Sequence, residues 1–150
     1  MYALGFQKKD KVSVLIDLGT NGEMAIGNAD RIYVTSTAAG PAFEGGNIVC
    51  GTGSIPGAIC NVEINNQEIS LKTIGNAEPL GICGTGVLEC TYELLKNEYI
   101  EESGLMDDDY FEDGFLLSET NNIRFYQKDV REIQLAKAAV RAGLETLILR

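Results

Sequence analysis

Short apolar runs separated by glycine-rich turns fill the first half of the chain, and helical spacing takes over in the second. Residues 12–18 (VSVLIDL) are rich in β-formers and predict a buried strand that carries an acid, Asp17, next to its end. A tight Gly19-Thr20-Asn21-Gly22 segment follows, and residues 23–26 (EMAI) begin a new strand. Residues 23–26 and 31–36 bracket Gly27-Asn28-Ala29-Asp30, a set of turn formers, and predict a β-hairpin. Residues 58–64 and 68–74 alternate around Asn65-Asn66-Gln67 and predict a second hairpin. Residues 115–117 and 123–126 are short strand candidates.

Helical periodicity is carried by two segments. Val87, Leu88, Thr91, Leu94 and Leu95 have the spacing of a helix that starts around Gly84-Thr85-Gly86 and ends near Asn97. Residues 128–149 give the clearest helix: Val130, Ile133, Ala136, Val140, Leu144 and Leu147 follow one another at steps of three or four. Asp129 and Glu132 fall in its first turn, where the helix dipole favours anions, and Arg141 and Glu145 are placed to pair four residues apart. Its apolar stripe has no glycine or proline stop after it, the pattern of a domain cut from a longer protein at this helix.

Two linking segments stand out. Residues 37–57 are rich in Gly, Ala and Ser and contain two of the three prolines. They read either as a surface loop with one or two helical turns or as a loop packed against a ligand or another lobe. Residues 98–113 form an acidic block that reads as a solvated, mobile surface. It does not fit a calcium loop, because counting from Asp107 the sixth residue is Glu112 and the twelfth Ser118. The order of strands, small-residue loop, hairpin, helix, acidic loop and helix predicts a mixed α/β (α+β) fold with antiparallel strands at its start. A length of 150 residues fits a single domain.

Composition narrows the chemistry. A hydrophobic fraction of 45% and a charged fraction of 23% are ordinary for a globular chain. A net charge of −10 argues against a nucleic-acid partner, which needs a basic stripe, and against an anionic membrane surface. The absence of histidine excludes histidine bases, Ser-His-Asp triads and histidine metal sites in this chain. Cys50, Cys60, Cys83 and Cys90 form no C-x-x-C pair, which disfavours a zinc or iron–sulfur site made by this chain alone. With no signal-peptide pattern and no apolar run of spanning length, they read as reduced thiols of a cytoplasmic protein.

The chemistry then rests on residues 15–24, LIDLGTNGEM. A strand ending Asp-x-Gly-Thr that returns as a hairpin exposes several amide groups at its turn. Gly19 and Gly22 let the backbone close around an anion, and Thr20 and Asn21 add side-chain donors. Asp17 is then placed to hold hydrated Mg²⁺ or to orient water beside a phosphate. The bland alternative is an ordinary turn in which Asp17 bonds its own loop. A dinucleotide fold fits poorly, since a β-like run follows the first glycine turn and Gly84-Thr85-Gly86 lacks a good strand before it. No Walker A G-K-[ST] triplet occurs.

Asp-x-Gly-Thr followed by a hairpin resembles the phosphate motifs of the acetate and sugar kinase, heat-shock ATPase and actin superfamily. Four pieces in order, LIDLGTNGEM (15–24), STAAGPAFEG (36–45), GICGTGVLE (81–89) and QKDVREIQLAKAAVRAG (127–143), resemble one family within it. That family is the reductive activators of corrinoid proteins, also called methyltransferase corrinoid activation proteins, in their C-terminal ATPase region. The resemblance implies a ribonuclease H-like, actin-like ATPase lobe. It implies ATP and Mg²⁺ as cofactors, an iron–sulfur cluster in an N-terminal part outside this chain, and a corrinoid protein or corrinoid methyltransferase component as partner. The implied activity is the ATP-dependent return of Co(II) corrinoid to Co(I). Carried over by position, Asp17 serves the metal and its water, and Gly19, Thr20, Asn21 and Gly22 hold phosphate oxygens. Glu23 polarises water or pairs nearby, and Gly84 and Thr85 face a phosphate, face the other lobe, or cap their helix.

The chain lacks the family's iron–sulfur motif, its earlier Asp-x-Gly-Thr-Thr lobe and its Gly-Gly-Phe-Gly adenosine loop. It therefore reads as a segment with one phosphate motif and half a nucleotide cleft, inactive by itself. Two other readings stay open: a nucleotide-independent module that docks a corrinoid protein, and a small-molecule kinase of the same superfamily.

Overall fold

The structure is a computed structural model that describes residues 2–149. In chain order the strands and helices are β1 (Ser13–Leu18), β2 (Gly22–Gly27), β3 (Ile32–Thr37), β4 (Ala58–Asn65), β5 (Glu68–Thr73) and β6 (Gly81–Ile82), followed by α1 (Gly84–Lys96), α2 (Asp108–Phe111), β7 (Phe115–Ser118), β8 (Ile123–Phe125) and α3 (Gln127–Ile148). These elements form two compact units. The first takes the chain up to Gly40 and from Leu135 onward, and the second is Pro41–Gln134.

The first unit is an antiparallel sheet in the order β1-β2-β3 with the later turns of α3. Gly27, at φ +151°, makes the turn between β2 and β3 possible, because a Cβ there would strike the Arg31 carbonyl. Asn28 Oδ1 accepts the N–H groups of Asp30 (3.1 Å) and Arg31 (3.2 Å) and so completes that turn. Gly143 lets α3 lie flush on the sheet: a Cβ there would come within 2.5 Å of Thr37 and 2.7 Å of Met24. The expectation of a buried first strand is corrected here. Val14, Ile16 and Leu18 are exposed within this unit, because β1 is an edge strand and only the central β2 is covered.

The second unit is built on β4, which pairs antiparallel with β5 and parallel with β6. Asn66 and Gln67 both have positive φ (50° and 69°), the signature of a tight two-residue hairpin turn, so the turn is shorter than the sequence suggested. The short β6 supplies the strand that the sequence did not reveal before Gly84. It leads straight into α1, whose Val87, Cys90 and Leu94 join Ile59, Val62, Ile64 and Ile82 in the core.

Residues 37–57 contain one 3₁₀ turn (Pro41–Glu44), and the part within the second unit packs on that unit's own backbone. A Cβ on Gly45 would meet the Thr52 and Ile82 carbonyls, and Gly51 bridges to Ile82. The acidic block keeps its carboxylates in solvent, as expected, yet it is also part of the core. Ile100 and Met106 are buried and bridge each other, and Tyr99 and Tyr110 stack with Phe115 at 4.8–5.0 Å. All four cysteines are free thiols, with Cys83 and Cys90 buried. No helix among the described residues is long and apolar enough to cross a membrane.

Candidate functional site

The LIDLGTNGEM segment folds as the β1–β2 hairpin with a three-residue turn, Gly19 to Asn21. Asp17 stands directly opposite Glu23, and Glu23 directly opposite Ser36. Residues paired this way project on one side of a sheet. Next along the same side comes the apolar row Leu15, Ala25 and Val34. Together these rows line a depression of about 510 Å³ with two carboxylates at one end and aliphatic side chains at the other.

Like charges directly across a strand pair oppose folding. Neither Asp17 nor Glu23 has an ion-pair partner among the described residues. Two exposed, unneutralised carboxylates on a rigid sheet are a suitable oxygen donor set for a hydrated Mg²⁺. No group of three or more acidic or thiol side chains among the described residues is arranged to hold a metal ion, so an ion at Asp17 and Glu23 would keep most of its water.

The turn glycines are less free than the motif suggests. The Gly19 N–H donates to the Asn21 carbonyl at 3.1 Å, so a phosphate would have to compete for it. The Thr20 carbonyl accepts the Gly40 N–H at 2.9 Å, which ties the turn to the end of the first unit. Gly22 is buried, and a Cβ there would press on Thr37 Oγ1 at 2.9 Å and on Val140 at 3.4 Å. Its small size thus serves packing between the sheet and α3 as well as the turn.

Gly84 and Thr85 lie in the second unit, at the first turn of α1. Gly84 is buried, and a Cβ would collide with the Phe43 carbonyl. Thr85 is exposed. Neither caps the helix, since Cys83 occupies the N-cap position and makes no side-chain capping bond.

Two buried acids were not singled out as such from sequence. Asp129 is fully buried, and its carboxylate accepts the Val49 N–H and the Tyr126 N–H, each at 2.9 Å. The second bond is the N3-to-N-cap half of a capping box, and its spacing is the one signal present in sequence. Burial raises the Asp129 carboxyl above its usual range, opposed in part by these two amides. Glu93 is buried on α1 and accepts the Ile64 N–H and the Lys96 ammonium, each at 2.9 Å. The Lys96 bond foremost, then the Ile64 amide, holds its carboxyl below the usual range. Cys90, wholly buried, has its thiol pushed well up by desolvation and then by Asp129, so it is inert packing.

An antiparallel hairpin sheet carrying a carboxylate pair at a glycine turn, with the later turns of α3 packed on it, fits the architecture of an actin-like ATPase lobe. Residues 11–150 match the family described as "C-terminal domain of RACo the ASKHA domain", and the chain belongs to that family. The corrinoid activation enzyme RamQ of Eubacterium limosum is 37% identical over 93% of this chain. The [Co(II) methylated amine-specific corrinoid protein] reductase of Methanosarcina barkeri is 34% identical over 99% of it. The solved structure of a reductive activator for corrinoid,iron-sulfur protein superposes on 97% of the chain with a TM-score of 0.89 at 34% identity. The chain spans only 27% and 31% of the two relatives and 26% of the solved chain.

Proposed function

We propose that this chain is a segment of the C-terminal ATPase region of a longer, cytoplasmic iron–sulfur protein that returns Co(II) corrinoid proteins to Co(I). The observation that carries this reading is the facing pair Asp17 and Glu23 beside the Gly19–Gly22 turn, in a chain of the corrinoid-activator family. The binding or hydrolysis of Mg·ATP would supply the free energy for an uphill one-electron reduction of the corrinoid. Asp17 would hold hydrated Mg²⁺ through one of its waters, and Glu23, across the hairpin, would polarise water or pair nearby. The turn from Gly19 to Gly22, with the Thr20 and Asn21 side chains, cradles phosphate oxygens. Within the second unit by itself, Gly84 admits the backbone of residues 43–44 to the start of α1, and the exposed Thr85 is available to a phosphate or to the other lobe. The partner is a corrinoid protein or corrinoid methyltransferase component, and the electron comes from a cluster outside this chain.

The test is a calorimetric titration of the chain and of the longer protein with Mg·ATP, beside the Asp17→Asn variant. Binding by the longer protein that Asp17→Asn weakens at least tenfold is the expected outcome. The variant should melt no lower than wild type, because removing one of two facing like charges relieves repulsion. Corrinoid reduction that proceeds equally well without nucleotide would rule out the coupling and leave a docking module.

A further inference from the structure

The charge of this protein is concentrated in one stretch. Residues 73–123 hold twelve of the twenty-two acids and one of the twelve bases, Lys96, so this stretch carries −11 and the rest of the chain +1. All of it lies within the second unit.

That same stretch carries an uncovered apolar stripe. Leu88 (42% exposed), Tyr92 (59%) and Leu95 (40%) recur at helical spacing along α1, beside the face that buries Val87, Cys90 and Leu94. The stripe runs into a groove of about 660 Å³ between the end of α1 and the following loop. Ile100 lines its base, and Glu98, Glu101 and Glu102 line its wall. The one base there is already engaged: Lys96 pairs with the buried Glu93 at 2.9 Å and lies over the Tyr92 ring at 5.7 Å. The three glutamates therefore face solvent with no cation of their own in the groove.

We propose that this groove is a docking surface for a basic amphipathic helix of a partner protein, with apolar side chains seated on Tyr92 and Leu95 and lysines or arginines against the glutamate wall. An exposed aromatic beside aliphatic side chains supplies an anchor, and the uncompensated acids supply orientation and fast encounter. The inference is independent of nucleotide binding at Asp17 and Glu23.

The probe is a lysine–leucine peptide of helical periodicity, titrated into the ¹⁵N-labelled chain, with a scrambled peptide of the same composition as control. The expected result is amide shifts confined to α1 and the residue 98–102 loop, and tenfold or greater weakening in both Tyr92→Ala and Leu95→Ala, which leave every charge in place. Glu101→Lys with Glu102→Lys should weaken binding comparably and flatten its salt dependence. Equal binding by the scrambled peptide, or by the two alanine variants, would show nonspecific charge attraction and overturn the proposal. So would failure of the longer protein to shift the same amides, since the groove would then be covered from within.

Discussion

Asp129→Ala tests the idea that one buried carboxylate straps the loop of residues 45–52 to the start of α3. In wild type, Oδ1 takes the Val49 N–H and Oδ2 the Tyr126 N–H, each at 2.9 Å. Alanine leaves both donors without an acceptor. An orphaned buried donor costs roughly 1–3 kcal/mol, so the pair sets a range of about 2–6 kcal/mol. Both bonds are only part-buried, and removing a buried carboxylate relieves its desolvation, which together place the expected loss in the lower half, about 2–4 kcal/mol. Asparagine keeps the volume and one acceptor but turns an NH₂ toward the second N–H, so about half the alanine loss is expected. The assay is urea unfolding followed by circular dichroism, with both variants at matched pH. The pH dependence adds a sign. Because burial raises the folded carboxyl above its unfolded value, this group's contribution is fully present below the unfolded pKa and is lost as pH rises through the folded pKa. Wild type should therefore gain on Asp129→Asn as pH falls from neutrality into the carboxylate range. Variants within about 0.5 kcal/mol of wild type, or a gap that narrows on acidification, would refute the strap.

Glu93 should behave with the opposite sign. Its carboxyl is lowered in the fold, first by Lys96 and then by the Ile64 amide, so its stabilisation is present above the unfolded pKa and lost as pH falls through the folded one. The stability gap between wild type and Glu93→Gln, read from urea midpoints, should shrink on acidification. At the start of α1, Gly84→Ala and Gly86→Ala place a Cβ against the Phe43 and Ile59 carbonyls and should each cost roughly 1–3 kcal/mol in thermal melts. Thr85→Ala, at an exposed position, should stay within about 0.5 kcal/mol of wild type.

Much of the fold is legible in local pattern. Turn formers at 27–30 and 65–67 gave both hairpins, and three- and four-residue spacing gave α1 and α3 to within a residue or two of their observed bounds. The two-residue β6 escaped detection because so short a strand has no period of its own and is defined only by its pairing with Ala58 and Ile59. The acidic block was read correctly for its charges and incompletely for its apolar members. Ile100 and Met106 sit singly among polar neighbours, and only the bridge between them brings them into a core.

By itself, then, the sequence determined the order of the longer elements, the carboxylate–glycine hairpin and the family, because each is written in neighbouring residues, whereas β6 and the single turn of α2 are not. Only the tertiary structure decided that the apolar β1 is an exposed edge of its sheet and that Gly22 and Gly84 answer to close packing partners. It alone revealed that Asp129 and Glu93 are buried straps. Those outcomes depend on which backbone reaches which side chain across 80 residues for Val49 and Asp129 and across 29 for Ile64 and Glu93. No local periodicity encodes a meeting of that kind, since burial and pairing are properties of the assembled chain.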